Sequence, residues 1–199
     1  MPWKWTSRKD AAAMTAANFA ASSPDRTTAR VRLRPTMSSD LDYVVSLEQD
    51  GENVAFITPW ERTQHEAAIR FPDFRHFIVE GGEDLSPVGF VILIGCRNPN
   101  LSIELKRMVI QAKGAGFGRA ALRMSKKIAF DDLGAHRFWL DVKQHNSRAK
   151  ALYDSEGFVL EGELRDAVKT AGGFQSLIVM SMLRSEFLGR RGLGLELRE

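Results

Sequence analysis

Between Leu101 and Val142 the chain alternates, turns on glycine, becomes amphipathic and alternates again, an order that leaves few folds open. From Leu101 to Ile110 a period of two places Glu104, Lys106, Met108 and Ile110 on one side of a strand. Ile103, Leu105 and Arg107 fall on the other. Gln111 to Gly118 breaks the strand. Along Phe117 to Phe130, Ala121, Leu122, Met124, Ser125, Ile128 and Ala129 then form one apolar stripe. Arg119, Arg123, Lys126 and Lys127 supply much of its polar surface. Gly134 ends the helix, and Arg137 to Val142 alternates as a second strand. A strand, a helix and a strand in that order predict a crossover with the helix on one sheet face.

The flanking sequence extends the sheet. Val31 to Pro35 reads as a half-buried strand, followed by a helix from Asp40 to Leu47 capped by Ser38 or Ser39. Asp50 to Pro59 is irregular; Phe56, Ile57 and Trp60 either pack that loop or line a substrate mouth. Thr63 and Glu66 have capping-box spacing for a helix to Phe71, which Pro72 stops. His76 to Glu80 and Val88 to Gly95 read as antiparallel strands around the turn that begins at Gly81. Ser147 to Glu156 reads as a helix closed by Gly157, and Phe158 to Leu164 and Gln175 to Leu183 as two closing strands. The expected class is α/β (mixed α+β): a central mixed, mostly antiparallel sheet with helices on both faces. One domain is expected over residues 30–184. Residues 1–29 read as a disordered or frayed extension ending in a Ser22–Thr28 linker, and residues 185–199 as a weakly docked C-terminal tail.

Composition narrows the function classes. The 44% apolar and 27% charged residues suit a globular domain, and the single cysteine, Cys96, excludes a disulfide scaffold within the chain. The net charge of +3 comes from the first thirty residues, leaving Val31 to Arg184 near neutral. No concentrated basic face is demanded, so no nucleic-acid partner is expected. No apolar run is long enough to span a membrane, and a cytoplasmic protein is expected, as a monomer or homodimer. His65, His76, His136 and His145 are scattered without metal-ligand spacing, so no metal is expected.

Chemistry concentrates at Gln111, Ala112, Lys113, Gly114, Ala115, Gly116, Phe117 and Gly118. Glycines let the backbone turn sharply and approach a ligand, and free N–H groups at the start of the next helix form an anion seat that suits a pyrophosphate. Lys113 or Arg119 adds charge at the rim. No Gly-Lys-Ser/Thr follows, so this is not a Walker loop, and Gly118 falls one place early for a dinucleotide fingerprint. Read alone, the glycines fit a plain turn as well. Glu104, a carboxylate on an otherwise apolar strand, is the candidate base, directly or through water; pairing with Lys106 or exposure on a sheet face is the alternative. Asn146 either caps the following helix or bonds a ligand arm.

With Gln111, Gly114 and Gly116 at their spacing, and Asn146, Ala149 or Ala151, Tyr153, Gly157 and Phe158 downstream, the chain resembles the GCN5-related N-acetyltransferase superfamily. The resemblance covers about Val31 to Leu183. It implies the acyl-CoA N-acyltransferase fold and transfer of an acetyl group from acetyl-CoA to a primary amine, of a small molecule or a peptide N-terminus. It implies further that Met108, Val109 and Ile110 meet the pantetheine arm, that residues Gln111 to Arg119 hold the diphosphate, and that Tyr153 protonates the departing sulfur. A backbone N–H of Val109 or Ile110 would polarise the thioester carbonyl. The Arg-Leu-Arg-Pro opening at Arg32 to Pro35 and the Trp60 segment look most like the group that acetylates ribosomal-protein N-termini. The competing expectation is an acyl-CoA-binding or interaction module without transfer.

Overall fold

Seven strands pair in the order β1-β2-β3-β4-β5-β7-β6. The computed structural model describes residues 30–193; the predicted N-terminal extension lies outside them. The strands are β1 (Val31–Pro35), β2 (Phe74–Gly81), β3 (Ser86–Ile94), β4 (Ser102–Ile110), β5 (Arg137–Lys143), β6 (Val159–Thr170) and β7 (Gly173–Leu183). Every neighbouring pair is antiparallel except β4 and β5. The helices are α1 (Leu41–Gln49), α2 (Gly51–Val54), α3 (Arg62–Arg70), α4 (Phe117–Lys127), α5 (Ser147–Ser155) and α6 (Arg184–Gly192). A π-turn, Ile128–Asp132, continues α4.

Alternation along β2 and β3 builds a core on each face. Val79, Val91 and Leu93 face the cluster completed by Ala121, Leu122 and Phe130 from the α4 side, Tyr153 and Phe187. Ile78, Phe90 and Ile92 face Val44 and Leu47 of α1, with Trp60 and Ile57 packed alongside. Helices therefore cover both faces, as the sequence predicts.

Strand β4 departs from simple alternation. Ile92 pairs with Arg107 and Leu93 with Leu105, so Lys106 has no partner on β3 and forms a bulge. One extra residue inverts the side-chain phase. Ile103 and Leu105 face the α4 side, yet Met108 and Ile110 also pack there, while Val109 joins the α1 side. The expected common side for Glu104, Lys106, Met108 and Ile110 is therefore corrected: Glu104 shares its face with Arg107 and Val109.

Two further readings change. The cap of α3 is not Thr63 with Glu66; Glu61 precedes the helix, and its N–H donates to Gln64 Oε1 at 2.8 Å. Residues 184–192 are not a loose tail. Phe187 is 1% exposed and stacks on Phe130 with ring centroids 4.7 Å apart, so α6 closes the α4-side core.

Candidate active site

The parallel pairing of β4 with β5 is confined to Ser102–Glu104 against Arg137–Trp139. Beyond these residues the two strands share no ladder, and β4 keeps an open edge toward β5. Gln111 N–H donates to Val88 O at 2.8 Å, which makes that pair a hydrogen-bonded one. Counting back by two, Val109 also turns its N–H toward β3, whereas Met108 and Ile110 turn theirs toward the opening. Of the two backbone N–H groups expected to meet a carbonyl, that of Ile110 faces the opening and that of Val109 faces β3; that of Met108 also faces the opening.

The glycine-rich turn stands at the end of that open edge. Gly114 and Gly116 have φ of 86° and 85°, the left-handed conformation that side chains disfavour. Among the described residues, the backbone N–H groups of Gly114, Ala115, Gly116, Phe117, Gly118 and Arg119 donate to no protein acceptor. Gly114, Ala115, Gly116 and Arg119 are exposed, and Phe117 and Gly118 partly so. Six consecutive amides at the head of an 11-residue helix make a ready anion seat. The Phe117 ring does not line it: a Cβ on Gly81 would lie 2.7 Å from Phe117 Cε1, so the ring lies against that glycine and anchors the helix start.

The charged rim residues have protein partners. Lys113 Nζ donates to Glu52 Oε2 at 2.8 Å and ties the turn to α2. Arg119 bonds Ser155 Oγ at 3.0 Å and Glu156 Oε1 at 2.5 Å. Glu156 also takes Arg123 at 3.0 Å and Lys126 at 3.1 Å, joining α4 to the end of α5. Burial alone would raise the Glu156 carboxyl, but Arg123, Lys126 and Arg119 outweigh it and hold it below the usual carboxylate range. Lys126, expected on the polar surface, is fully buried in this group. Arg119 is thus first an inter-helix tie. Gln111 Oε1 accepts from Tyr43 Oη at 3.4 Å.

Tyr153, on α5, is 8% exposed, and its ring lies 5.8 Å from that of Phe158. Its hydroxyl makes no hydrogen bond among the described residues. Burial, then nearby Asp141, pushes its pKa upward, so it holds its proton at neutral pH. Asn146 Oδ1 accepts from Ala149 N–H at 3.1 Å and so caps α5. Glu104 lies in the paired part of the sheet and accepts from Lys106 Nζ at 3.0 Å.

Sequence reasoning missed a buried polar group on the α1 side. Glu48 is fully buried and accepts from the Arg107 guanidinium, while Trp60 N–H donates to its other oxygen at 2.5 Å. Arg107 Nη2 donates to Thr58 O at 2.9 Å and the guanidinium lies 5.0 Å over the Trp60 ring. His65 Nε2 stands 3.6 Å from Glu48 Oε2; His65 Nδ1 lies 3.1 Å from His76 Nε2, and His76 Nδ1 lies 2.9 Å from Thr36 Oγ1. Burial, then His65, lowers His76 to about 3, so it is neutral at physiological pH. The residues 55–60 are held at both ends, by Lys143 Nζ and His145 Nε2 at 3.1 and 3.3 Å from Ala55 O and by the Trp60 N–H bond to Glu48. Of the three apolar residues in that stretch, Ile57 and Trp60 pack onto the core, and Phe56 stays 38% exposed beside the His145 ring.

Known proteins carry the same architecture. The model of the acetyltransferase (GNAT) domain matches residues 30–159. Spermidine N(1)-acetyltransferase of Escherichia coli K12 is 25% identical over 169 residues, spanning 79% of this chain and 88% of that one. Its Vibrio cholerae counterpart is 31% identical over 117 residues, 58% of this chain and 67% of that one. The solved structure of spermidine N-acetyltransferase from V. cholerae in complex with CoA and spermine superposes with a TM-score of 0.72 at 26% identity, covering 79% of this chain and 98% of the other.

Proposed function

The chain belongs to the acetyltransferase (GNAT) domain family and is an acetyl-CoA-dependent N-acetyltransferase, and from that premise we propose that its acceptor is a polyamine carrying a primary amine. The observation that carries this reading is the extent of the likeness to spermidine acetyltransferases, which runs through nearly the whole described domain rather than the coenzyme loop alone. Exposed Asp50 and Glu61, with Glu52 beside Lys113, give a cationic acceptor an acidic approach around α2. The family group that acetylates ribosomal-protein N-termini supplies the competing acceptor, a peptide amine.

In this reading the amides of Gly114 to Arg119 hold the diphosphate, and Met108, Val109, Ile110 and Gln111 border the pantetheine arm along the open edge of β4. Lys113, though paired with Glu52, adds positive charge beside them, and Asn146 orients α5. The amine, once deprotonated, attacks the thioester carbonyl directly. Its N–C bond forms, the C–S bond breaks, and Tyr153 protonates the sulfur. The Met108 and Ile110 N–H groups stabilise the oxyanion between these events. Glu104 takes the amine proton, directly or through water, from the same face as Arg107. The glycine turn, the strand edge and Tyr153 thus divide holding, polarising and proton delivery among three elements.

Thiol release from acetyl-CoA, measured across spermidine, spermine, an N-terminal peptide, an aminoglycoside and an amino acid, tests the acceptor. The expected result is the highest kcat/KM with a polyamine. Preferential turnover of the peptide would replace the polyamine reading, and coenzyme binding with no turnover of any amine would favour a module without transfer.

A further inference from the structure

The mechanism above leaves unused the most buried ionic group on the α1 side. Glu48 lies on α1 and Arg107 one residue beyond the β4 bulge, 59 positions apart in sequence. Arg107 is the residue immediately before Met108, whose N–H faces the opening. Its guanidinium is committed twice, to Glu48 and to Thr58 O, and its carbon lies 5.0 Å from the centre of the Trp60 ring. Strand β4 has no β5 partner here, so neighbouring strand pairing on that side cannot fix the direction of the Met108 amide. The β3 pairing of Ile92 with Arg107 and Val91 with Met108 holds the strand on one edge, and the ion pair adds a second restraint from the α1 face at a bulge where the ladder is locally disrupted. Glu48 is itself held in place. His65 Nε2 stands 3.6 Å from the carboxylate, and His65 and His76 continue the chain of polar contacts to the Thr36 hydroxyl.

We propose that Glu48 is a positioning residue for acetyl transfer: through Arg107 it fixes the β4 bulge so that the backbone N–H of Met108 points at the thioester oxygen, and through Trp60 N–H it holds the 58–60 segment against the same strand. The inference rests on the reading of the β4 edge as the acyl site, and it does not depend on which amine is the acceptor. Replacing Glu48 by glutamine keeps its shape, removes the charge that fixes the Arg107 guanidinium, and costs stability because that cation stays buried.

The test uses the full chain with Glu48→Gln and Arg107→Lys, each checked for folding by its thermal transition. Two readouts are taken: kcat and KM for acetyl-CoA with spermidine, and the infrared carbonyl stretch of acetyl-CoA labelled with ¹³C at the carbonyl, bound to the protein without acceptor. In the parent the stretch should lie below its solution frequency, because an aligned N–H weakens the C=O bond. In Glu48→Gln it should return toward the solution value. Its kcat should fall on the order of 100-fold while KM for acetyl-CoA stays within about twofold. Unchanged kcat and an unchanged stretch in a folded variant overturn the proposal. A parallel loss of acetyl-CoA binding also overturns it, since that marks a general structural role, as does a parent stretch equal to that in water. If Glu48→Gln does not fold, Arg107→Lys carries the same readouts, keeping the charge while losing the two-pronged geometry. A parent that shows the shifted stretch, lost in the variant, but does not acetylate spermidine supports the positioning role and removes the polyamine reading.

Discussion

Tyr153 gives its ring to the core and leaves its hydroxyl without a partner among the described residues. Replacing it with phenylalanine removes one oxygen and little packing. Tyr153→Phe should lower kcat by on the order of 100-fold with KM for acetyl-CoA nearly unchanged, as steady-state kinetics would record; unchanged kcat removes the acid role. Glu104 makes a different prediction. Its ion pair with Lys106 is consistent with either a structural or a chemical duty, and the pH–rate profile separates them: Glu104→Gln should lose the acidic limb of kcat/KM, and an identical limb rules it out as the base. Glu156 belongs to stability. Its folded pKa is depressed, so its contribution is present above the unfolded carboxylate value and disappears as pH falls through the folded one. Glu156→Gln should cost roughly 3 kcal/mol at pH 7 in denaturant unfolding, with the gap to the parent narrowing at acidic pH. Tyr153 stood out as a candidate because it follows Asn146 at a family spacing. The Glu48, His65, His76 and Arg107 contacts did not, because each residue looks like an isolated polar exception in its own helix or strand, and only the tertiary fold brings them together.

Strand boundaries followed closely from alternation and turn residues: all seven strands stand where the pattern places them, with β6 and β7 extending toward each other beyond their predicted ends. The β4 bulge was illegible, since inserting Lys106 leaves a run that still alternates on paper while its second half faces the other way. Helix α6 was missed for a related reason. Arg184–Gly192 is mostly polar, contains Gly189, and has Phe187 as its only fully buried side chain, so no apolar stripe announces it. Its docking is nonetheless substantial. Phe187→Ala should destabilise the domain by about 3–5 kcal/mol and lower Tm measurably by calorimetry, whereas a loosely attached tail would leave Tm unchanged.

At the scale of the whole molecule, the proposed function depends on a sheet that separates. Strands β4 and β5 begin as a parallel pair and part after three residues, and the chain between them returns through the glycine turn and α4. That places open amides at the end of an open strand edge, with Tyr153 on the element that follows β5. The sequence made the turn visible through its glycines and its place between strand and helix; the width of the split depends on pairing that no local pattern encodes. No helix among the described residues is long and apolar enough to cross a membrane.

Amide hydrogen exchange across Gly114–Arg119, followed with and without CoA, tests the diphosphate seat directly. These groups have no acceptor among the described residues, so they should exchange rapidly in the free protein and become strongly protected when CoA binds, with Gly116→Val abolishing both the protection and the binding in a chain that still unfolds cooperatively. CoA bound with normal affinity while these six amides exchange as before would contradict the account.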